Sequence, residues 1–415
     1  MQLTTQQITA KNAALDWWRS GDERPLLIQG YAGTGKSTTI ETIVRELTQE
    51  RPAYMAFTNK AVRVLASKVN NSLYCGTIHS AIYFISWYEA YSGALDRYEE
   101  LKHKIRIEED GVKLSALLSE KRLMEERREV WSEWSLQDGF AWDREFVDGR
   151  AEYGDYGGGL IVVDECSMVR TDVGRDLAQV ASQAGYRIIA VGDPGQLPPV
   201  VGRDYQGDLE DVSYFTERRC CVAPILTQVM RQGEGSAILS AATIARDGST
   251  RLPLQICDGL AVLDRRRASQ QIDPSAYDQV ICGRHVTRRS VNANVRETLG
   301  RSGPPQAGDK MIMQKSSKND GYSNGDIFTV KNFDAHVMTG ILQDGQEIKF
   351  IVKQTDFDDE KETIAYAYAI TCHKSQGSEF KTVLLHNEAY CFRDDGSKWL
   401  YTGVTRASEF LTVLQ

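Results

Sequence analysis

The sequence has 415 residues, 41% hydrophobic and 26% charged, with a formal net charge of −8. That length exceeds one hydrophobic core and predicts about two to four domains. No run approaches about 18 uncharged apolar residues, so no transmembrane helix is expected. The net acidity argues weakly against nucleic acid, unless a groove is locally basic while outer faces are acidic.

In chain order, "MQLTTQQITAKNAAL" lacks a basic start followed by an apolar run. No signal peptide is expected, and a cytoplasmic location follows. The eight cysteines include no CxxC pair, and the adjacent Cys220 and Cys221 do not have zinc-ligand spacing. They read as buried, reduced thiols.

"PLLIQG" reads as a short buried strand, and "KSTTIETIVREL" has helical periodicity, with Ile40, Ile43, Val44 and Leu47 on one face. Between them lies Gly30-x4-Gly35-Lys36-Ser37. A strand, a glycine loop and a helix in that order are the context a phosphate-binding loop needs. The glycines let backbone amides face phosphates, Lys36 neutralises the β and γ phosphates, and the Ser37 hydroxyl ligates Mg²⁺. ATP and Mg²⁺ are therefore the expected cofactors.

"GGGLIVVDECSM" is a continuous apolar run ending in Asp164 and Glu165. It fits a central parallel strand. Asp164 is expected to hold Mg²⁺ through water, and Glu165 to polarise the attacking water. A third strand, "YRIIAVGD", ends at Asp193 and runs into "PGQLPPV". Gln196 there is either a γ-phosphate sensor or part of a rigid proline turn. The basic clusters at Arg265–Arg267 and Arg284–Arg289 read individually as solvated faces.

Together these blocks resemble superfamily 1 helicases, specifically the RecD/Dda branch of 5′→3′ DNA helicases. "LTTQQITA", "GYAGTGKST", "AFTNKAVRVLASK", "GTIHSAI", "VVDECSM", "VGDPGQLPPV", "LTQVMRQ", "AYAITCHKSQGSEF" and "LYTGVTRAS" stand in that family's order. The resemblance implies Gln7 on the adenine base, and Gly30, Gly33, Thr34, Gly35, Lys36, Ser37 and Thr38 around the phosphates. It also implies Gln376, Gly377 and Glu379 on phosphate and ribose. Catalysis falls to Lys36, Glu165, Gln196, Arg231 on the γ-phosphate and Arg406 as a second arginine finger.

Single strands are held by phosphate contacts and stacking. The same resemblance places Thr58, Asn59, Lys60, Thr77, His79, Thr371, His373 and Lys374 on single-stranded DNA. His79 and His373 could instead be core histidines. Such contacts position a strand without reading bases.

The implied fold class is α/β: two RecA-like P-loop domains, parallel sheets flanked by helices, with an inserted pin and helical subdomain and an inserted SH3-like β-barrel. The expected boundaries are 1–84 with 156–225 for the first motor domain and 85–155 for the pin subdomain. The second motor domain takes 226–304 with 361–415, and the barrel takes 305–360.

"GFAWDREF" reads as a pin strand, with Phe140 and Trp142 as candidate strand-separating aromatics and "AIYFISWY" as its partner. "SALLSEKRLMEERREVWSEW" reads as a charged helix, with Trp131 and Trp134 on one face.

Three functions compete. One is an ATP-dependent 5′→3′ DNA helicase acting in replication or recombination in a bacterial or phage-infected cytoplasm. The second is a P-loop enzyme such as a small-molecule kinase. The third is a DNA-stimulated translocase or loader without strand separation. The helicase reading expects a monomer that meets single-stranded and forked DNA, single-strand binding or replisome proteins, and no membrane.

Overall fold

The computed structural model describes residues 3–47, 51–66, 72–87, 97–98, 101–105, 108, 111–136, 159–199, 213–229, 236–268, 271–317, 321–334, 336–352, 356–358 and 362–415. The pin candidates Phe140 and Trp142, and Arg231, lie outside the described residues.

The chain opens with α1 (Thr5–Ser20), β1 (Leu26–Gln29), α2 (Lys36–Leu47), β2 (Ala53–Ala56), α3 (Asn59–Ala66) and β3 (Tyr74–Thr77). Then come α4 (Ile78–Ile82), β4 (Tyr83–Trp87), α5 (Gly111–Trp131), β5 (Ser132–Leu136), β6 (Leu160–Asp164), α6 (Thr171–Gln183) and β7 (Arg187–Gly192). The middle holds β8 (Cys221–Val222), α7 (Ala237–Arg246), β9 (Gln255–Cys257), β10 (Leu260–Leu263), β11 (Gln279–Cys282) and α8 (His285–Thr298). β12 (Lys310–Met313), β13 (Ile327–Asp334), β14 (Val337–Leu342), β15 (Glu347–Ile351) and β16 (Ile364–Tyr366) follow. The end is β17 (Ala369–Thr371), β18 (Phe380–His386), α9 (Gly396–Val404) and β19 (Ala407–Leu414).

Two compact units emerge, Met1–Tyr83 with Leu136–Ser269 and Gln376–Gln415, and Phe84–Ser135 with Gln270–Ser375. The first unit contains a parallel sheet in the order β3-β2-β6-β7-β1-β8. Its strands are short and apolar because both faces are covered, so neither face needs polar alternation. One face packs Leu27, Met55, Ile161 and Val163 against Ile78 and Ile82 of α4 and Leu177 and Val180 of α6. The other packs Leu26, Ile28, Val162 and Val191 against Ala14 and Trp17 of α1 and Ile40, Ile43 and Val44 of α2.

α1 starts on a capping box, in which Thr4 and Gln7 satisfy each other's backbone amides, and it stops at left-handed Gly21. Arg187 closes that end. Its guanidinium stands 4.0 Å from the Trp17 ring centroid and donates to the carbonyls of Trp17, Trp18 and Asp22. The same unit holds parallel pairs β18–β19 and β19–β10, with β9 antiparallel along β10.

In the second unit β11 pairs β17 in parallel. An antiparallel sheet runs β15-β14-β13-β12-β16, with Met311, Phe328, Met338, Phe350 and Tyr366 in its core. This sheet occupies the region expected to form the SH3-like insertion, and β15 and β16 are its two edges. Leu114 and Leu118 of α5 pack on Ile351 of β15, so the charged helix has a core partner in this sheet.

β4 pairs with β5, and its expected partner at 139–146 lies outside the described residues. Two expectations need correction. Trp131 ends α5 while Trp134 stands in β5, so they do not share a helical face. The period changes at that point, because "SEWSL" alternates polar and apolar residues at strand spacing. Nor is the Arg284–Arg289 cluster wholly solvated: Arg288 is buried and donates to Asp358 O at 2.6 Å.

Asp309 organises the second unit's polar interior. It is fully buried, and its carboxylate accepts from Arg296 at 3.3 Å, Arg301 at 3.2 Å, Tyr368 at 2.8 Å and the Gln306 amide at 2.8 Å. Removing one member of a buried ion cluster leaves uncompensated charge. Asp309→Ala is expected to cost about 3 kcal/mol, read as a lower urea midpoint. An unchanged midpoint would show that the two arginines find other partners.

Candidate active site

The turn after β1 is a phosphate-sized cradle. Gly33 and Gly35 have φ of 77° and 75°, the left-handed region that glycine adopts at least cost. A Cβ at Gly35 would lie 2.5 Å from Gln7 Nε2. Gln7 donates from that atom to Thr34 O at 3.1 Å and accepts from Thr4 N at 3.0 Å. In this structure the glutamine expected at the adenine braces the loop. Thr34 is buried and its hydroxyl donates to Tyr31 O at 2.8 Å. Lys36 folds over the loop, with Nζ 2.7 Å from Gly30 O and 3.1 Å from Tyr31 O. Ser37 is exposed and Thr38 half-buried in the first turn of α2, where the helix dipole favours anions.

β6 delivers the carboxylates. Asp164 Oδ1 accepts the Glu165 amide at 2.9 Å. Glu165 has φ 51° and ψ 42°, an uncommon conformation for a residue other than glycine. Strain of that kind concentrates at functional sites. Burial pushes the Glu165 carboxyl above the usual carboxylate range; Asp164 and Asp193 add to this, and Lys36 and Arg406 oppose it. Its Oε2 is secluded and has no hydrogen-bond partner among the described residues, and the same holds for Oε1 of buried Gln196. Such groups are costly inside a protein unless a ligand or water completes them.

The C-terminal segment supplies the rest. Arg406 is buried just after α9 and donates to Thr402 O and Ser378 O, both at 3.0 Å. Gln376 is buried and donates to Leu197 O at 3.2 Å, Gly377 has φ 71°, and Glu379 is exposed. A cavity of about 290 Å³ lies against the loop, lined by Tyr31, Ala32 and Gly33, by Ile238, Ala242 and Arg246 of α7, and by Glu379, Tyr401 and Ser408. The Arg246 guanidinium stands 4.4 Å from the Tyr31 ring centroid. Tyr31, Arg246 and Tyr401 are lining residues not among those expected from the sequence. The one available signal was a tyrosine hydroxyl inside the apolar run "WLYTGV", which must find a partner once buried.

The residues expected on DNA fall into two groups. In the first unit Thr58 and Thr77 cap α3 and α4, accepting Ala61 N at 3.2 Å and Ser80 N at 3.1 Å. Asn59 opens α3, and the Lys60 ammonium stands 5.6 Å from the Phe380 ring centroid. His79 sits between Phe57 and Tyr83, with ring centroids 5.6 and 5.5 Å away. Burial lowers its pKa, so it is neutral at pH 7. In the second unit Thr371 is buried at the end of β17, His373 and Lys374 form the turn beyond it, and Lys374 donates to Asn324 Oδ1 at 2.7 Å.

A family model described as an AAA domain matches residues 2–268, and one described as a UvrD-like helicase C-terminal domain matches 366–414. The chain belongs to this AAA domain family. Nucleotide binding comes with that membership. Among solved structures it is similar to a Pif1 helicase described in unwinding of forked duplex DNA, with TM-score 0.55, 19% identity, and coverage of 100% of this chain and 92% of that one. A Bacteroides Pif1 helicase in complex with ADP-AlF3 and single-stranded DNA gives TM-score 0.53 at 18% identity with the same coverage. These likenesses support the α/β class with two RecA-like domains.

Among curated proteins it is 24% identical over 214 residues to an uncharacterized protein, R530, of Acanthamoeba polyphaga mimivirus, covering 51% of this chain and 35% of that protein. It is 22% identical over 243 residues to the conjugal transfer protein TraA of Rhizobium radiobacter, covering 53% of this chain and 21% of that protein. The chain thus spans about a third and about a fifth of those relatives' lengths.

The donor set suits a hard cation. Ser37 and Asp164 offer oxygens, and no cluster of three His, Cys, Asp or Glu side chains competes for a metal among the described residues. Mg²⁺ keeps most of its shell from phosphate and water, so two protein oxygens suffice. No helix among the described residues is long and apolar enough to cross a membrane.

The raised Glu165 pKa has a defined sign. The folded state binds more protons than the unfolded state between the ordinary carboxyl value of 4.5 and the raised value. The cost to stability is therefore absent below that window and complete above it. Glu165→Gln is expected to melt above the parent at pH 8, with the gap closing as the pH falls through the window. A gap independent of pH would contradict the burial argument.

Proposed function

We propose that the chain is an ATP-dependent DNA helicase that translocates 5′→3′ on single-stranded DNA and unwinds duplex DNA. One observation carries this reading. The segment matching a helicase C-terminal domain lies in the same compact unit as the phosphate loop and carries Arg406. A small-molecule kinase has no need for such an arginine on a helicase-type segment.

In this account Lys36 neutralises the β and γ phosphates, Ser37 and Asp164 hold Mg²⁺, and Glu165 orients the attacking water. Gln196, Arg231 and Arg406 respond to the γ-phosphate. Gln7, Gln376, Gly377 and Glu379 complete the nucleotide contacts. Thr58, Asn59, Lys60, Thr77, His79, Thr371, His373 and Lys374 hold the strand, and Phe140 or Trp142 parts the duplex. Motor domains at 1–84 with 156–225 and at 226–304 with 361–415 would carry this cycle, with a pin subdomain at 85–155 and an SH3-like module at 305–360. A monomer working in the cytoplasm on forked DNA, beside single-strand binding or replisome proteins, fits the reading.

The test is strand separation of duplexes carrying either a 5′ or a 3′ single-stranded tail, with ATP and Mg²⁺. Unwinding from the 5′ tail alone is expected, and Glu165→Gln abolishes it. Unwinding from the 3′ tail alone would overturn the direction. ATP turnover without strand separation on either substrate would leave a translocase or loader.

A further inference from the structure

α9 carries a buried tyrosine that the site chemistry above does not use. Tyr401 is 2% exposed. Its hydroxyl donates to Asp193 Oδ2 at 2.7 Å and accepts the Ala32 amide of the phosphate loop at 2.9 Å. Asp193 is fully buried, and its other oxygen accepts the Gly195 amide at 2.9 Å. A Cβ on Gly195 would lie 3.0 Å from the Tyr401 ring, so turn and ring are in contact.

The next residue of the helix repeats the connection. Thr402 is fully buried; its hydroxyl oxygen accepts the Leu197 amide at 3.1 Å, and its carbonyl accepts Arg406 Nε at 3.0 Å. Gln196, with its secluded Oε1, lies between the two fastened points. Each of these contacts lies within the first compact unit.

We propose that Tyr401 is a positioning residue for ATP hydrolysis: its hydroxyl ties the Ala32 amide to the Asp193–Leu197 turn, holding Gln196 and the Arg406 end of α9 in register with the phosphates. The proposal rests on the ATPase reading above and deepens it. Two features suit a tyrosine to this task. A ring with two rotatable bonds loses little freedom on being fixed. A hydroxyl can donate to a carboxylate while accepting from an amide, which neither a carboxylate nor an ammonium can do. Burial, beside Asp193, holds the phenol far above its ordinary pKa, so the proton stays on the oxygen. Any shift of the phosphate loop on taking up nucleotide then reaches the Gln196 turn and α9 through one bonded atom.

Tyr401→Phe in the full chain keeps the ring and removes the hydroxyl. ATP turnover against ATP concentration is measured together with binding of a fluorescent ADP and thermal melting. The expected result is a kcat lower by roughly 10- to 100-fold, the scale of a small misplacement, with KM and ADP affinity changed by less than about threefold. A merely structural role would lower the melting temperature and leave kcat within about twofold, and that result overturns the proposal. Asp193→Asn completes a cycle: the double variant should lose no more than the worse single one if both act through this bond. Losses that multiply would count against it. Should Tyr401→Phe fail to fold, Thr402→Val breaks the neighbouring link; it is expected to lower kcat, and an unchanged kcat overturns the proposal. A parent chain without ATP turnover sinks the ATPase reading and this role together. An active parent with an indifferent Tyr401→Phe sinks the role alone.

Discussion

Parallel pairing of β1, β6 and β7 is the constraint on which the rest depends. Strands that run the same way end at the same edge. The phosphate loop after β1, Asp164 and Glu165 after β6, and Asp193 after β7 therefore meet without any specific attraction between them. This is the general behaviour of open α/β sheets, whose sites lie beyond the carboxyl ends of the strands. The apolar faces hold the edge rigid. Leu27, Ile161 and Val163 lie in the core on one side, and Ile28, Val162 and Val191 on the other.

Concentrating acids at one edge sets up the electrostatics. Glu165 carries the conflict: burial and two neighbouring aspartates favour its neutral form, while Lys36 and Arg406 favour its charge. A carboxyl balanced in this way can change its proton affinity when a phosphate arrives or leaves, because the phosphate competes for the same two cations. The backbone of Glu165 lies at positive φ directly after β6.

Much of this was legible in the sequence where the signal was local. The strand, glycine loop and helix around Lys36 are contiguous, and "LIVVDE" announces a buried strand with carboxylates at its end. The elements that escaped are long-range. Nothing local says that β4 takes β5 as its partner across the α5 insertion, or that Leu114 and Leu118 find Ile351. Charge patterning misled at Arg288, because a guanidinium can be buried when backbone carbonyls receive it. Gln7 was singled out by its place in "LTTQQITA", and its bonds to Thr4 N and Thr34 O emerge only in the folded loop. Tyr401 stood inside a recognised block with no role, since its partners Ala32 and Asp193 are 369 and 208 residues away.

The central claim is that one P-loop site drives a motor on single-stranded DNA. Steady-state ATP hydrolysis by the purified chain, measured with and without an unstructured single strand, tests it most directly. The account predicts slow turnover alone and a severalfold or greater rise with DNA. ATP turnover indifferent to DNA would contradict it and reopen the small-molecule enzyme reading.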